Sequence, residues 1–420
     1  MASVSIDFDA EMKDKNLLLR EGLVPLAIEA PNTRPQTGEA DPRLASFDRL
    51  MESFMKDNQV PGAALAVAKD SRLVYARGFG HADDRQKLPV EPTTRFRIAS
   101  ISKPITAVAI LKLIEQGKFK LDDPIRPLLG IAKQRDEDPR WSKVTIRQCL
   151  QHTAGWDRAK SFDPMFRPIV IAKKTGTKTP ASAEAVVHYM LQQPFDHDPG
   201  EKYAYSNFGY CVLGRIIEHA TGKSYEAFVR DEVLQPVGVY SMSIGKTLAK
   251  STGETDYFDA KKRTATSVFD PTKTVPLAYG AWHLEAMDAH GGWIASAPDL
   301  VRFAVAFNNP AKSKLLSRDS IEAMFARPVG LEPNKDAAYY GCGWQVRDAG
   351  SGKNTWHTGA LDGTATILVR RHDGLTWAVL FNARENAKGE YLAGKIDPLV
   401  HRAADEVKEW PNVNRFSKSK

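Results

Sequence analysis

Cysteine is scarce: Cys149, Cys211 and Cys342 are the only three in 420 residues, with no CxxC pair and no Cys/His ligand spacing nearby. An odd, scattered set excludes a disulfide scaffold and gives no zinc pattern, so separate buried thiols are expected. No run of 18 apolar residues occurs, so no membrane-spanning helix is expected. The N-terminus, MASVSIDFDAEMKDKN, is acidic and has no apolar segment of the kind a signal peptide needs. The chain as written reads as soluble and cytoplasmic; had an export signal been removed, the same chain would be periplasmic or secreted. The net charge is +7, but the basic residues form only short clusters, at Lys173-Lys174, Lys261-Lys262-Arg263 and Lys418–Lys420. Without a basic helix face, nucleic acid is not an expected partner. There is no HExxH, no Gly-x-Ser-x-Gly elbow and no phosphate loop, since Gly245-Lys246-Thr247 lacks the glycine five positions before the lysine. Neither metal nor other cofactor is called for.

What remains is ordinary globular composition, 42% hydrophobic and 26% charged, in a chain long enough for a large core. Residues 1–41 read as an extension. From Pro42 an amphipathic helix carries Leu44, Phe47, Leu50, Met51 and Phe54 on one face. Two β-like runs, GAALAVAKD and RLVYARGFG, follow as a hairpin. A second apolar helix runs from Ser100 and stops at Gly117. Residues 120–265 are richer in Pro, Lys and Asp, with helical stretches near 145–151, 182–193, 207–220 and 224–235. After Pro276 the pattern turns to β in GWQVRD, NTWHTG, TATILVRR and LTWAVLFNAR. Asp373-Gly374 makes the last hairpin, and a helix lies near 395–407.

These elements describe an α+β protein. Its antiparallel sheet is built from both chain ends (42–118 and 275–410) and flanked by helices. A mostly helical subdomain (119–274) is inserted, and 411–420 is a tail. The βαβ alternation of a doubly wound sheet is missing.

Three short patterns carry chemistry. Ser100-Ile101-Ser102-Lys103 sets a hydroxyl and an amine three residues apart, on one helical face and close enough to exchange a proton. At a helix start, the Ser100 N–H is also free to help hold an oxyanion. Alone, the tetrapeptide reads first as a Ser cap and a solvated Lys. Tyr205-Ser206-Asn207 precedes an apolar helix; a phenol beside a lysine can shuttle protons, and an Asn amide can hold the lysine and a substrate carbonyl. Alone, it is again a cap. His357-Thr358-Gly359 lies in a strand, where Gly359 would admit close approach and the Ala360 N–H could donate to an oxyanion. Trp156, Trp293, Trp344 and Trp356 are candidates for an apolar pocket, or core residues. His152 reads as supporting the site or the fold.

In this order the three patterns resemble the serine β-lactamase and penicillin-binding-protein-like superfamily, with the β-lactamase/transpeptidase-like fold. Phe96-Arg97-Ile98-Ala99, Leu150-Gln151-His152-Thr153-Ala154-Gly155, Gly291-Gly292-Trp293 and Asp299-Leu300 are similar to landmarks of its class C, D-alanyl-D-alanine carboxypeptidase and family VIII carboxylesterase branch. The resemblance covers residues 42–407. It implies Ser100 as nucleophile, Lys103 and Tyr205 sharing acid and base work, Asn207 orienting Lys103 and substrate, and Ser100 and Ala360 N–H groups as the oxyanion hole. Relatives of the lactamase and peptidase type carry Lys-Thr-Gly where this chain has His357-Thr358-Gly359. Loss of that fixed charge points to an uncharged ester or amide as substrate. The expectation is therefore a carboxylesterase of short acyl esters with weak β-lactamase activity. The alternatives are a D-Ala-D-Ala carboxypeptidase, D-amino-acid amidase or β-lactamase and, more distantly, a catalytically silent binding protein. Lys174-Thr175-Gly176 reads as a polar-loop decoy. Oligomeric state is open.

Overall fold

The computed structural model describes residues 34–330 and 337–416. The expected extension lies outside the described residues as far as position 33. Beyond it, the short strand β1 (Gln36–Thr37) pairs with a sheet edge.

The principal sheet also contains β2 (Gly62–Lys69), β3 (Arg72–Gly80), β4 (Tyr339–Tyr340), β5 (Gln345–Ala349), β6 (Gly352–Leu361), β7 (Thr364–Arg370) and β8 (Leu375–Phe381). Its order is β1-β3-β2-β8-β7-β6-β5-β4, antiparallel throughout, so β2 lies beside β8 with Ala63 opposite Phe381. The fold is thus mixed α+β, with an antiparallel sheet drawn from both ends of the chain.

Alternation along the strands sorts side chains between two faces. One face carries Leu65, Val67, Ile367, Val369, Trp377, Val379 and Phe381, packed on α1 (Ala45–Asp57) and the C-terminal helix Leu392–Asp405. The other carries Ala64, Ala66, Ala68, Ala378, Thr364, Thr366 and Thr376, all fully buried. These small side chains let the helix Ala297–Val305 lie close over β2 and β8. They also leave room for the turn that carries Ser100.

Helix α2 (Ser102–Glu115) is buried on nearly all sides, from Ser102 to Leu111, as its largely apolar sequence dictates. It begins two residues later than expected: Ser100 lies in the 3-10 turn Ala99–Ile101. Gly117 still provides the left-handed stop, at φ 71°. Three other elements differ from the sequence reading. Lys174-Thr175-Gly176 is the end of the helix Pro168–Thr175, closed by Gly176 in the left-handed conformation, so it is a helix C-terminus and not a loop. The region after Pro276 contains the helices Ala297–Val305 and Arg318–Met324 before β4 begins, because Ser296 and Ser317 cap helices that β-like composition had masked. Residues near 224–235 split into the helix Tyr225–Val229 and a wider π turn. The three cysteines are buried and unpaired. No helix among the described residues is long and apolar enough to cross a membrane.

Candidate active site

A three-stranded sheet fixes the base of the Ser100 turn. Arg97 lies opposite Ile294, Ile98 N–H donates to Trp293 O at 3.0 Å, and Trp293 N–H donates to Ser102 Oγ at 3.3 Å. From the principal sheet, Thr364 and Thr366 donate to the carbonyls of Arg97 and Ile98, at 2.9 and 3.0 Å. Strand β6 passes so close that a Cβ on Gly359 would sit 2.1 Å from the Ile98 oxygen, so only glycine fits. Between these supports Ala99 adopts φ 47°. A left-handed backbone costs a non-glycine residue about 1–2 kcal/mol, which the surrounding hydrogen bonds offset.

Lys103 projects from the first turn of α2 and is fully buried. Its Nζ is 3.2 Å from Ser100 Oγ, 2.7 Å from Asn207 Oδ1 and 3.1 Å from the His290 carbonyl. Burial lowers its pKa well below the ordinary lysine value; Arg158 adds to the fall and Asp163 opposes it. Asn207 begins α3 (Asn207–Thr221), while Ser206 caps that helix by accepting from Gly209 N–H at 3.2 Å. The helix cap and the amide that holds Lys103 therefore lie in adjacent residues. Tyr205 shares a hydrogen bond with Ser100, and its ring centroid is 4.7 Å from Lys103 Nζ. Desolvation raises the phenol's pKa; Ser100 and Arg158 act the other way. Ser100, Lys103, Tyr205 and Asn207 thus converge on one point.

His152 supports the Tyr205 segment. Its Nδ1 accepts from Ser206 N–H at 3.1 Å, its ring lies 4.2 Å from that of Tyr205, and its carbonyl accepts from Ala204 N–H at 2.8 Å. His357 is buried on the same face of β6 as Gly359. Its Nδ1 lies 2.6 Å from the Thr358 carbonyl, which assigns the proton to that nitrogen, and leaves Nε2 to accept from the Tyr340 hydroxyl at 2.9 Å. Burial, reinforced by the charge of Lys103, pushes its pKa down to about 3, so it is neutral across the physiological range. Ala360 follows on β6, half-buried.

The four tryptophans do not gather. Trp156 lines a cavity of about 140 Å³ together with Arg158, Phe162, Asp163, Ser206 and Asn207. Trp293 is buried and donates to Tyr225. Trp344 is core, among Phe303, Phe307 and Phe325. Trp356 belongs to the opposite face of the sheet, against the α1 side of the core, because even-numbered residues of β6 point away from Ser100. Aromatic character announced burial but not the face. Conversely, Arg158, Asp163, Tyr340 and the His290 carbonyl meet the site without having been singled out. Arg158 and Asp163 come from a loop, and the one local signal of Asp163, before Pro164, is a helix cap that it also forms with Met165 N–H.

Comparison with known proteins shows what the chain as a whole is similar to. Penicillin-binding protein 4* of Bacillus subtilis (strain 168) is 28% identical over 387 residues, covering 88% of this chain and 80% of that one. Protein flp of Staphylococcus aureus (strain NCTC 8325 / PS 47) is 25% identical over 325 residues, 77% of this chain; the match takes in only 59% of that longer protein. Among solved structures, the octameric penicillin-binding protein homologue from Pyrococcus abyssi superposes with a TM-score of 0.65 at 25% identity, covering 85% of this chain and 77% of that one. The D-amino acid amidase from Ochrobactrum anthropi SV3 gives 0.68 at 21% identity, covering 88% and 99%, a likeness of fold. The family model described as Beta-lactamase matches residues 47–399, and the chain belongs to that family.

Proposed function

We propose that this chain is a serine hydrolase that forms an acyl-enzyme on Ser100 and acts on short-chain carboxylic esters, with weak turnover of β-lactams. In this reading Ser100 Oγ attacks the acyl carbon and passes its proton to Lys103 and Tyr205. The tetrahedral oxyanion lies against the N–H groups of Ser100 and Ala360. Collapse breaks the ester C–O bond, the held proton goes to the departing alkoxide, and water then releases the acid by the reverse sequence. A buried amine with a depressed pKa suits the first transfer, since it is neutral where an exposed lysine is not. Asn207 orients Lys103 and the substrate carbonyl.

The observation that carries the choice of ester is the neutral His357. It stands where the lactamase and peptidase relatives carry a lysine ammonium, and its free nitrogen is already engaged by Tyr340. A substrate carboxylate would meet no fixed charge there, whereas an uncharged ester loses nothing. The test is a panel of p-nitrophenyl butyrate, a chromogenic cephalosporin, a D-Ala-D-Ala peptide and a D-amino-acid amide, read by turnover and by intact mass of the adduct. The ester should lead in kcat/KM by about a hundredfold or more. Faster turnover of the peptide or amide would overturn the ester reading. Ser100→Ala should abolish both adduct and turnover with the fold intact; wild-type rates in that variant would sink the mechanism.

A further inference from the structure

Asn207 presents both ends of its amide to charged neighbours. Oδ1 accepts from Lys103 at 2.7 Å, and Nδ2 donates to Asp163 Oδ2 at 2.6 Å. A flipped amide would set NH2 against an amine and oxygen against a carboxylate, two repulsive contacts in a buried place. Asp163 is itself anchored, its Oδ1 accepting from Met165 N–H at 3.0 Å, and its side chain is 4% exposed. Arg158 completes the group. Its guanidinium stands 4.0 Å from Asp163 Oδ2, and its Cζ lies 4.9 Å from the Tyr205 ring centroid. The same ring has Lys103 Nζ at 4.7 Å, so two basic side chains lie against one phenol ring.

We infer that Arg158 and Asp163 are a positioning pair behind the nucleophile: Asp163 fixes which end of the Asn207 amide faces Lys103, and Arg158 seats a fixed positive charge beside the Tyr205 ring. The inference rests on the reading of Ser100 as nucleophile. The other titratable groups packed around Lys103 are Tyr205, Tyr210, His152, His290 and His357. Burial holds all three imidazoles in their neutral form and both phenols protonated. Arg158 and Asp163 are therefore the two fixed charges whose fields reach the amine, with opposite signs.

The experiment follows the rate of Ser100 labelling by a fluorophosphonate against pH, in the wild type and in Arg158→Gln, Arg158→Lys and Asp163→Asn, with circular dichroism to check folding. This probe needs an activated serine and no particular substrate. Without the Arg158 charge the ammonium form of Lys103 persists to higher pH, so the acid-side midpoint should rise by about one pH unit in Arg158→Gln. Arg158→Lys, which keeps the charge, should return it to near the wild-type value. In Asp163→Asn the midpoint should fall, and the plateau rate should drop about tenfold as the Asn207 amide loses its fixed orientation. A purely structural role would lower the plateau or the yield of folded protein and leave the midpoints alone. Comparing the two Arg158 variants keeps the charge test valid if Asp163→Asn fails to fold. Midpoints that stay put, or move together, overturn the inference while leaving the nucleophile in place. No labelling of wild-type Ser100 at any pH overturns the proposed function and this inference with it.

Discussion

Two buried basic side chains, Arg97 and Lys103, stand six positions apart and are treated in opposite ways. Both are fully shielded from solvent. Arg97 meets the Glu254 carboxylate at 3.5 Å, donates to the carbonyls of Ala278 and Lys246, and is enclosed by the rings of Tyr257, Tyr279 and Trp282. Lys103 touches a hydroxyl, an amide oxygen and a backbone carbonyl, and among the described residues no carboxylate forms an ion pair with it. The Asp163 carboxylate, whose charge reaches it, is hydrogen-bonded to the same Asn207 amide that Lys103 contacts. A cation that must stay charged receives a direct counter-ion. Lys103, which the proposed function requires to give up its proton and take another, is supplied with dipoles instead.

The sharpest way to break this contrast is to exchange each residue for Met. Lys103→Met should lower kcat/KM for an activated ester by about 10³–10⁴, while urea unfolding shifts by less than about 1 kcal/mol, because a buried amine costs roughly what its hydrogen bonds return. Arg97→Met should do the reverse in stability, losing about 3–5 kcal/mol as Glu254 is left buried without its cation. If Arg97→Met unfolds like the wild type, the distinction between the two sites collapses. Acid should sharpen it further. The pKa of His357 is depressed in the folded state, so its contribution is fully present above about pH 6.5 and is lost as pH falls toward 3. At pH 5 His357 alone should remove about 2 kcal/mol, with His152 and His290 adding in the same direction. Thermal unfolding from pH 8 to pH 5 measures it, and His357→Gln should flatten the dependence. The smallest effect belongs to the edge of the Arg97 cluster. Tyr257→Phe removes a hydroxyl that donates to Glu254 at 2.8 Å and accepts from Arg97 N–H at 2.8 Å. It should cost about 1–2 kcal/mol in denaturant unfolding and leave ester turnover unchanged.

The contrast also shows what a sequence can tell. Ser100 and Lys103 have a helical spacing that alone reads as a cap; they became candidates through the order of the three patterns and the resemblance it carries, and the 3-10 turn that holds Ser100 keeps the two side chains together. Tyr205 and Asn207, at the start of an apolar helix, likewise read alone as part of a cap and became candidates through the same order of patterns. The sheet was legible in the alternation and hairpin glycines of residues 62–80 and 343–384. Arg158 and Asp163 were not, since WDRAKSFDP has no periodicity and an Asp before a Pro reads as a cap. Trp344 and Trp356 show the other limit. Both are large aromatic residues near one motif, yet Trp344, in the turn before β5, packs among Phe303, Phe307 and Phe325, while Trp356, on β6, lies on the opposite face of the sheet.

The absent side chain at Gly359 has a consequence for biosynthesis. Ser100 leaves the ribosome early, but the strand that presses on Ile98 belongs to the last quarter of the chain, and β8 must slot in beside β2 to complete the sheet. Contacts so distant in sequence close late in folding. A nascent or prematurely terminated chain therefore displays the serine and the lysine without the strand that finishes the site. On the proposed reading of Ser100 as nucleophile, hydrolytic competence waits for that strand.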